Sequence, residues 1–450
     1  MTPVKFPCEV MPAEPVPARL MGLYPQLQEG RWMQRARVPG GALSADQWRA
    51  LAAAARRCTP GAPLHLTTRQ DVELHDLAAE QIPGVQRALA AAGLSGLGAC
   101  GDTLRNITVC PCSGIAAGKV DLLPLAHDIQ RLLQKHEWVF ALPRKFKISL
   151  SACESACAAP WINDLGFVAG RRDGRRGFQV MAGGSLGPKP ATGTLLFEWL
   201  PAEEVLPLVL AAVRVFAAHG DREHRHKARL RHVRERLGQQ AFAELIAAEF
   251  DLAKGQGPWA SFPLSEPAKA LGSRLDLTFP NGDVTPPAAE ALAELAGRED
   301  IRVRITPRHR VAVWARDEST LAAIPTVFPS LREAAAPQAS VVACPGRRWC
   351  SRALTDTVAM ADQIRADLGK TLSPDKTVCI SGCPNGCAHS TVADIGLVGC
   401  LDSSGGAKRD AYDLYQGGGM GTNDTLAQLA ARKVPPADVP GLIRGLPGRT

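Results

Sequence analysis

The chain has 450 residues, of which 46% are hydrophobic and 21% charged. This composition fits a globular protein of about three domains and excludes disordered, collagen-like and coiled-coil chains. The formal charge is +8, which suits nucleic acid, a polyanionic cofactor or a small anionic substrate. No signal peptide or membrane span is readable, and the most apolar stretch, 205–218, contains Pro207 and Arg214. We therefore expect a cytoplasmic protein whose 13 cysteines are metal ligands or redox groups.

The first region, 20–95, is predicted to be a small α+β unit. An alternating strand leads through a Gly-bearing turn to a helix capped by Ser44, and two short alternating segments follow. These two segments meet at a Thr-x-Arg corner that contains Arg69. The pattern returns in 260–335, where Thr285 is the cap and Arg308 matches Arg69. The chain is therefore predicted to be an internal duplication.

The second region, 96–218, is predicted to be an α/β domain with its own counterpart. Its Ser-x-Cys-x3-Cys motif at 151–157 is followed by an Asp-x-Gly motif, and the same motifs return at the same spacing in 336–450. A Gly-rich loop comes later in each copy, at 183–187 and 417–421. Gly417, Gly418 and Gly419 would let the backbone approach a ligand closely, but neither loop is a dinucleotide-binding fingerprint.

A basic helical linker is predicted between the copies, at 219–259. Residues 221–238 carry seven Lys or Arg against three acids. The simplest interpretation is a solvated connecting helix. The alternative is a helix that contributes arginines to a buried anionic cofactor.

Four cysteines of the second copy have the pattern of an iron–sulfur site. They fall as C-x5-C and C-x3-C, and Asn385 lies in the turn between the last two. Thiolates from two separated loops suit a cubane cluster better than the tight knuckles of structural zinc sites. The predicted ligands are Cys344, Cys350, Cys383 and Cys387.

The first copy keeps the C-x3-C pair as Cys153 and Cys157 but has Cys110-Pro-Cys112 in place of C-x5-C. Two interpretations stay open for these four cysteines. They either only pack, as the remains of a cluster site, or they bind a second metal or form a redox pair. The other cysteines are predicted to be ordinary apolar side chains; they are Cys8, Cys58, Cys100, Cys379 and Cys400.

Cationic residues are concentrated in the first copy. Lys145 and Lys147 alternate on one predicted strand face, where alignment gives the second copy Asp375 and Thr377. Two ammonium groups on one face favour an anion opposite them, although lysines protecting an edge strand are an alternative. Together with Arg69 and Arg105 they predict an oxyanion pocket.

These motifs resemble the nitrite/sulfite reductase family, the sirohaem and [4Fe–4S] haemoproteins. The resemblance rests on TTRQ, GDTLRNIT, LPRKFK, C-x5-C and GCPNGC and covers about residues 20–435. It implies that two ferredoxin-like half-domains pair into one pseudo-symmetric domain, beside a first sirohaem- and substrate-binding α/β domain and a second that carries the cluster cysteines. The cofactors would lie where all three domains meet. Cys387 would bridge the cluster to the sirohaem iron, with Arg69, Arg105, Lys145 and Lys147 around the substrate.

The resemblance also implies the reaction. Six-electron reduction of sulfite is favoured over reduction of nitrite to ammonia, because sulfite reductases tend to carry the second lysine that is present here as Lys147. A third hypothesis is a precorrin-3B synthase-like oxygenase, and a fourth is an electron carrier or sensor that binds haem or a cluster. The donor would be external, either a ferredoxin or a flavoprotein subunit, and neither nucleic acid nor a membrane is an expected partner.

Overall fold

The computed structural model describes residues 15–446 except 261, 263, 370, 374 and 422–424, so Cys8 and the last four residues of the predicted 336–450 domain lie outside the described residues. Within these bounds no helix is both long and apolar enough to cross a membrane. The apolar stretch 205–218 instead forms a helix whose side chains are almost all buried in the protein core.

The first half-domain is an antiparallel sheet covered by helices. Ser44 caps its main helix, as predicted, by accepting a hydrogen bond from the Gln47 amide, while the Gln47 side chain accepts one from the Ser44 amide. Its elements are α1 (Pro15–Leu20), β1 (Leu23–Pro25), β2 (Arg31–Ala36), α2 (Ala45–Cys58), β3 (Leu64–Leu66), β4 (Val72–Ala78) and α3 (Ile82–Ala91).

The first α/β domain has a mixed sheet in the order β5-β6-β7-β8-β9, parallel for its first three strands and antiparallel for the others. Two linker helices follow it, and the second packs on α5 through buried side chains such as Ile246. The elements are β5 (Thr108–Val109), α4 (Leu123–Gln134), β6 (Ile148–Ser151), β7 (Leu165–Arg172), β8 (Arg175–Ala182), β9 (Thr194–Pro201), α5 (Val205–His219), α6 (Leu230–Leu237) and α7 (Gln239–Lys254).

The second half-domain repeats the first. Its strands β10, β13 and β12 pair in the order of β2, β4 and β3, and Thr285 caps its helix through the Ala288 amide. The elements are β10 (Ser273–Thr278), β11 (Asp283–Val284), α8 (Pro286–Ala296), β12 (Arg302–Ile305), β13 (Arg310–Ala315), α9 (Glu318–Ala322), α10 (Ile324–Val327) and α11 (Arg332–Ala335).

The two half-domains share one core, and one strand of the second copy extends the sheet of the first, while the other strands of the second copy form a sheet of their own. Strand β11 of the second copy pairs with β3 of the first, in antiparallel register, and helices α2 and α8 pack together. Buried side chains from both copies, including Leu51 and Leu292, belong to a single apolar cluster. The predicted pairing of ferredoxin-like half-domains into one pseudo-symmetric domain is therefore confirmed.

The second α/β domain has the strand order and directions of the first. The matching extends to single bonds: the amide of Lys147 donates to Asp164 at 2.8 Å, and that of Thr377 donates to Asp394 at 3.0 Å. The elements are β14 (Ser340–Ala343), α12 (Gly346–Trp349), α13 (Thr357–Leu368), β15 (Thr377–Ser381), β16 (Ile395–Asp402), β17 (Arg409–Gln416), β18 (Gln428–Val434) and α14 (Val439–Gly445).

Candidate active site

A tight loop after β15 presents two of the predicted cluster cysteines. The loop turns back through Gly386, whose φ of +65° lies in the left-handed region that favours glycine. The Ser381 hydroxyl oxygen accepts a hydrogen bond from the amide of Ala388 at 3.2 Å and so holds the ends of the loop together. Cys383 is half-buried at the start of the loop and Cys387 is exposed at its end.

The other two predicted ligands lie beside this loop. Cys344 follows β14 and is buried, and its sulfur accepts a hydrogen bond from the Gly382 amide at 3.3 Å. Burial raises the pKa of Cys344 to about 12, with a further contribution from nearby Cys387, and burial likewise raises the pKa values of Cys350 and Cys383. Buried thiols that resist ionisation alone, as those of Cys344, Cys350 and Cys383 do, suit a metal centre, since bound iron supplies the compensating positive charge. The donor set therefore fits a [4Fe–4S] cluster.

The Thr-x-Arg corner of the first copy lies against this loop. Thr68 donates a hydrogen bond to the Cys387 carbonyl at 2.8 Å. Gln70 donates to the carbonyls of Val109 at 2.9 Å and Ile305 at 2.7 Å, and so joins the first α/β domain to the second half-domain. The corner is therefore the junction of the domains.

Arg69 extends from this corner into the junction. Its guanidinium donates to the Asn163 side chain at 2.8 Å and to the carbonyls of Ile148 and Asn106. Burial lowers the pKa of Arg69 to about 9. Four of its five N–H groups are used in these bonds, so within the described part of the chain Arg69 is a fixed cation with one donor left for a ligand.

Arg105 is the less constrained of the two predicted arginines. Its Nε is buried and has no hydrogen-bond partner among the described residues. Burial lowers the pKa of Arg105, an effect that Cys100 partly offsets. A buried N–H without an acceptor is costly, so this group suits an anionic ligand.

Lys145 and Lys147 complete the cationic side of the site. Burial lowers the pKa of Lys145 to about 7, with Arg229 contributing next, while Cys387 opposes the shift. Burial, and then Arg69 and Lys145, lower the pKa of Lys147 well below its usual value. The ion pairs formed by the described residues include neither lysine, whereas Arg229 is paired with Asp164 at 2.7 Å.

The charge pattern at the junction fits a polyanionic macrocycle and an anionic substrate. Several cations crowd one space, their pKa values are depressed by burial and mutual repulsion, and Cys387 opens toward them. Such crowding is unfavourable unless an anion occupies the space between the cations. Sirohaem, a polycarboxylate, supplies that charge, so the residues present fit the predicted cofactor.

The Gly-rich loop and Asn385 have different roles in the structure. A side chain at Gly418 would lie 2.5 Å from the Ala393 carbonyl oxygen, so this glycine is required by packing. No described residue lies within 4 Å of a Cβ placed at Gly417 or Gly419, so a ligand can approach the backbone there. Asn385 is exposed and its side chain hydrogen-bonds Cys383.

The comparisons with known proteins agree with this geometry. The family model described as "Nitrite and sulphite reductase 4Fe-4S domain" matches residues 100–254 and 336–446, and that of the "Nitrite/Sulfite reductase ferredoxin-like half domain" matches 24–92. The chain belongs to the nitrite and sulphite reductase family. It is an oxidoreductase, and the predicted cofactors, sirohaem and a [4Fe–4S] cluster, are confirmed by this membership.

Curated relatives and one solved structure cover most of the chain. The assimilatory ferredoxin-dependent nitrite reductase of Haloferax mediterranei is 31% identical over 93% of this chain and 79% of its own length. The ferredoxin–nitrite reductase of Synechococcus elongatus is 30% identical over 93% and 86%. The NirA protein of Mycobacterium tuberculosis has a TM-score of 0.82 and 24% identity, covering 96% of this chain and 87% of its own, which shows the common fold.

Several residues of the site were not singled out from the sequence. Arg229 and Arg231 of the linker are buried, so this stretch is not simply a solvated helix. His309 and His389 are also buried; burial lowers the pKa of His309 to about 3, and burial beside Lys147 and Arg69 lowers that of His389. The signal for His309 was its place beside Arg308, where the first copy has Gln70 beside Arg69.

Proposed function

We propose that this enzyme reduces nitrite to ammonium with electrons from a ferredoxin. The proposal rests on the ferredoxin–nitrite reductases that resemble the chain over nine-tenths of its length. In the reaction, nitrite takes up six electrons and eight protons and yields ammonium and two waters. We further propose that Cys344, Cys350, Cys383 and Cys387 bind the cluster and that Cys387 also binds the sirohaem iron.

The observation that carries the proposal is the set of half-buried cations around the open thiol of Cys387. Sirohaem and the cluster supply the electron transfer when they are bound. Arg105, with its unpartnered Nε, and Arg69, with its remaining N–H, hold the anion by charge-assisted hydrogen bonds. Because these arginines remain protonated, they orient substrate and do not donate protons.

Lys145 and Lys147 are proposed to deliver protons. The pKa of Lys145, about 7, lies close to neutral pH, and a group with such a pKa both gives up a proton and regains one readily. Anionic substrate would raise the pKa values of both lysines and load them with protons on binding. The positive charge of Arg229 lowers the pKa values of both lysines, so that these values stay low while no substrate is bound.

Sulfite is the second candidate substrate, and Lys147 is the observation that favours it. In the family that the sequence resembles, sulfite reductases tend to have lysine at this position and nitrite reductases often have asparagine. A second ammonium suits sulfite, which carries more negative charge and a third oxygen that must leave as water.

Steady-state rates with nitrite and with sulfite, using reduced ferredoxin and then an artificial donor, test the assignment. We expect the larger kcat/KM for nitrite, and a larger value for sulfite would overturn it. Holoprotein with cluster absorption but no extractable sirohaem would overturn the whole reductase assignment and favour the precorrin hydroxylation reading.

A Lys147→Asn variant tests the role of the second lysine. We expect sulfite turnover to fall by about 100-fold or more and nitrite turnover by less, because a positioned proton donor contributes about 10²- to 10⁴-fold to a rate. Thr377→Ala, at the matching position of the second copy, is the control and should leave both rates within about twofold. A greater loss with nitrite than with sulfite would contradict this role of Lys147.

A further inference from the structure

The first copy brings its own four cysteines together, and none of them is a proposed cluster ligand. The sulfurs of Cys110, Cys112 and Cys157 all lie within 4.8 Å of one another, and those of Cys110 and Cys112 are 3.6 Å apart. Cys153 joins them through a hydrogen bond between its thiol and that of Cys112. The convergence connects residues about 40 positions apart in the chain, so it is a product of the tertiary fold.

The spacing of these sulfurs matches a single metal ion. A tetrahedral zinc site with Zn–S bonds of about 2.3 Å has sulfurs about 3.8 Å apart. A cubane cluster spreads its four ligands further, since each binds a different iron at a different corner. A disulfide needs an S–S distance of about 2.05 Å, which the 3.6 Å between Cys110 and Cys112 does not approach.

The backbone around these cysteines is held in the shape of a ligand loop. Ala156 has a φ of +50°, where the second copy has Gly386 at +65°. An alanine in this region costs about 1 kcal/mol, and such strain is typically retained at functional sites. The amide of Ala152 donates to the Cys110 sulfur at 3.0 Å, as the Gly382 amide does to Cys344.

The residues around the four sulfurs supply positive charge, and the group is open to a metal ion on one side. Four thiolates on one zinc ion carry a net charge of −2. The half-buried Lys119 hydrogen-bonds the Cys153 sulfur and offsets part of that charge. Cys110 and Cys112 are buried, while Cys153 and Cys157 are half-buried, so a metal ion can enter from the surface side.

We propose that Cys110, Cys112, Cys153 and Cys157 form a structural zinc site in the first α/β domain. Binding replaces four thiol protons by one Zn²⁺, with the protons released to solvent and no change in oxidation state. The ion would tie the loop after β5 to the loop after β6. The site does not depend on the proposed function, because it shares no ligand with the cluster.

Metal analysis of the holoprotein tests the proposal. The protein is expressed with added zinc, treated with EDTA to remove surface ions, and assayed for zinc and iron. We expect about one zinc per chain, and X-ray absorption at the zinc edge should show four sulfur ligands at about 2.3 Å. Less than about 0.1 zinc per chain, nitrogen or oxygen ligands, a disulfide among these cysteines, or the iron of a second cluster would each overturn the proposal.

Two matched variants separate this site from the cluster. Cys112→Ser should lower zinc occupancy about tenfold or more and leave the iron content unchanged, whereas Cys350→Ser should lower iron and leave zinc unchanged. The exchange of Cys400→Ser, outside both sites, should change neither metal. Unchanged zinc in Cys112→Ser would overturn the proposal; if this variant fails to fold, the zinc content of Cys153→Ser and the X-ray absorption spectrum of the wild type give the same decision.

Discussion

The loops 151–159 and 381–389 have the same backbone conformation but lie in different surroundings. Each begins at a serine whose hydroxyl closes the loop, each turns through a left-handed residue, and each carries two cysteines. In the second copy Cys387 is exposed toward the cations of the first copy, whereas in the first copy Cys157 lies within 4.8 Å of two further cysteines. The same loop therefore supplies two cysteine sulfurs in each copy, and the residues that surround the loop determine which kind of metal centre these sulfurs suit.

The charges of the two copies diverge in the same way. Positions that hold Lys145 and Lys147 in the first copy hold Asp375 and Thr377 in the second, on equivalent backbone. One copy therefore surrounds the other copy's open thiol with cations. The junction brings together the proposed cluster cysteines of the second copy and the basic residues of the first, whose own four cysteines lie in a separate group.

The largest expected effect is the difference between substitutions of the matched cysteines Cys387 and Cys157. Cys387→Ser should reduce nitrite turnover by more than about a hundredfold, because even changes outside the ligand sphere cost 10- to 100-fold. Cys157→Ser should leave iron content and the visible spectrum intact. Turnover, iron analysis and absorption spectra of both variants check this, and equal losses of iron would show that the copies are not specialised.

The second prediction compares the ion pairs at the matched aspartates. Arg229 pairs with fully buried Asp164, while Lys376 pairs with Asp394, which is 34% exposed in its side chain. Arg229→Met should lower the free energy of unfolding by about 3–5 kcal/mol, because it leaves a buried carboxylate unpaired. Lys376→Met should cost at most about 1 kcal/mol.

Denaturant unfolding of these two variants measures the difference. A similar loss in both would mean that the linker arginine is no more important than a surface lysine. Restoration of stability in a double variant that also carries Asp164→Asn would show that the unpaired charge, and not the lost side-chain packing, causes the effect.

The third prediction concerns pH and the matched corner residues Gln70 and His309. Burial lowers the pKa of His309 to about 3, against about 6.5 in an unfolded chain. The unfolded state therefore binds more protons, and the stability that neutral His309 provides is present above pH 6.5 and lost as the pH falls toward 3. By pH 5 the loss is about 2 kcal/mol.

His309→Gln, which installs the residue of the first copy, should remove this contribution. Unfolding measured at pH 7 and pH 5 should show a smaller loss in the variant than in the wild type. Gln70→Asn is the control, since the side chain that it changes does not titrate. An identical loss in variant and wild type would assign the acid sensitivity to other groups.

The smallest effect is expected from substitutions that exchange the residues with positive φ in the two loops, Gly386 and Ala156. Gly386→Ala should destabilise by about 1 kcal/mol and Ala156→Gly should relieve a similar strain, partly offset by the greater freedom of glycine in the unfolded chain. Thermal unfolding of the pair checks the signs. Effects of the same sign in both would mean that the two loops do not share their backbone strain.

Much of this arrangement could be predicted from local sequence. The caps at Ser44 and Thr285 and the equivalence of Lys147 with Thr377 depend on short motifs at fixed spacing, so the repeat itself made them visible. Local patterns are reliable where neighbouring residues alone decide the geometry.

The remaining features depend on contacts between distant segments. Nothing in the charged linker distinguishes Arg229 from its exposed neighbours until Asp164 is seen opposite it. Likewise the C-x-C motif at Cys110 left two interpretations open, because the approach of Cys157 arises from the pairing of β5 with β6. Strand β11 is two residues long, too short for any periodicity to reveal it.

That short strand has a consequence during synthesis. The sheet of the first half-domain is completed only when Asp283 pairs with His65, 218 residues later in the chain. At about 5–20 residues per second, a ribosome needs roughly 10 to 40 seconds to make that interval. Throughout it the edge of β3 is unpaired, and an open edge strand invites pairing with other chains. The nascent first half is therefore the stage at which this protein most needs chaperones, and truncated chains that end before β11 should aggregate.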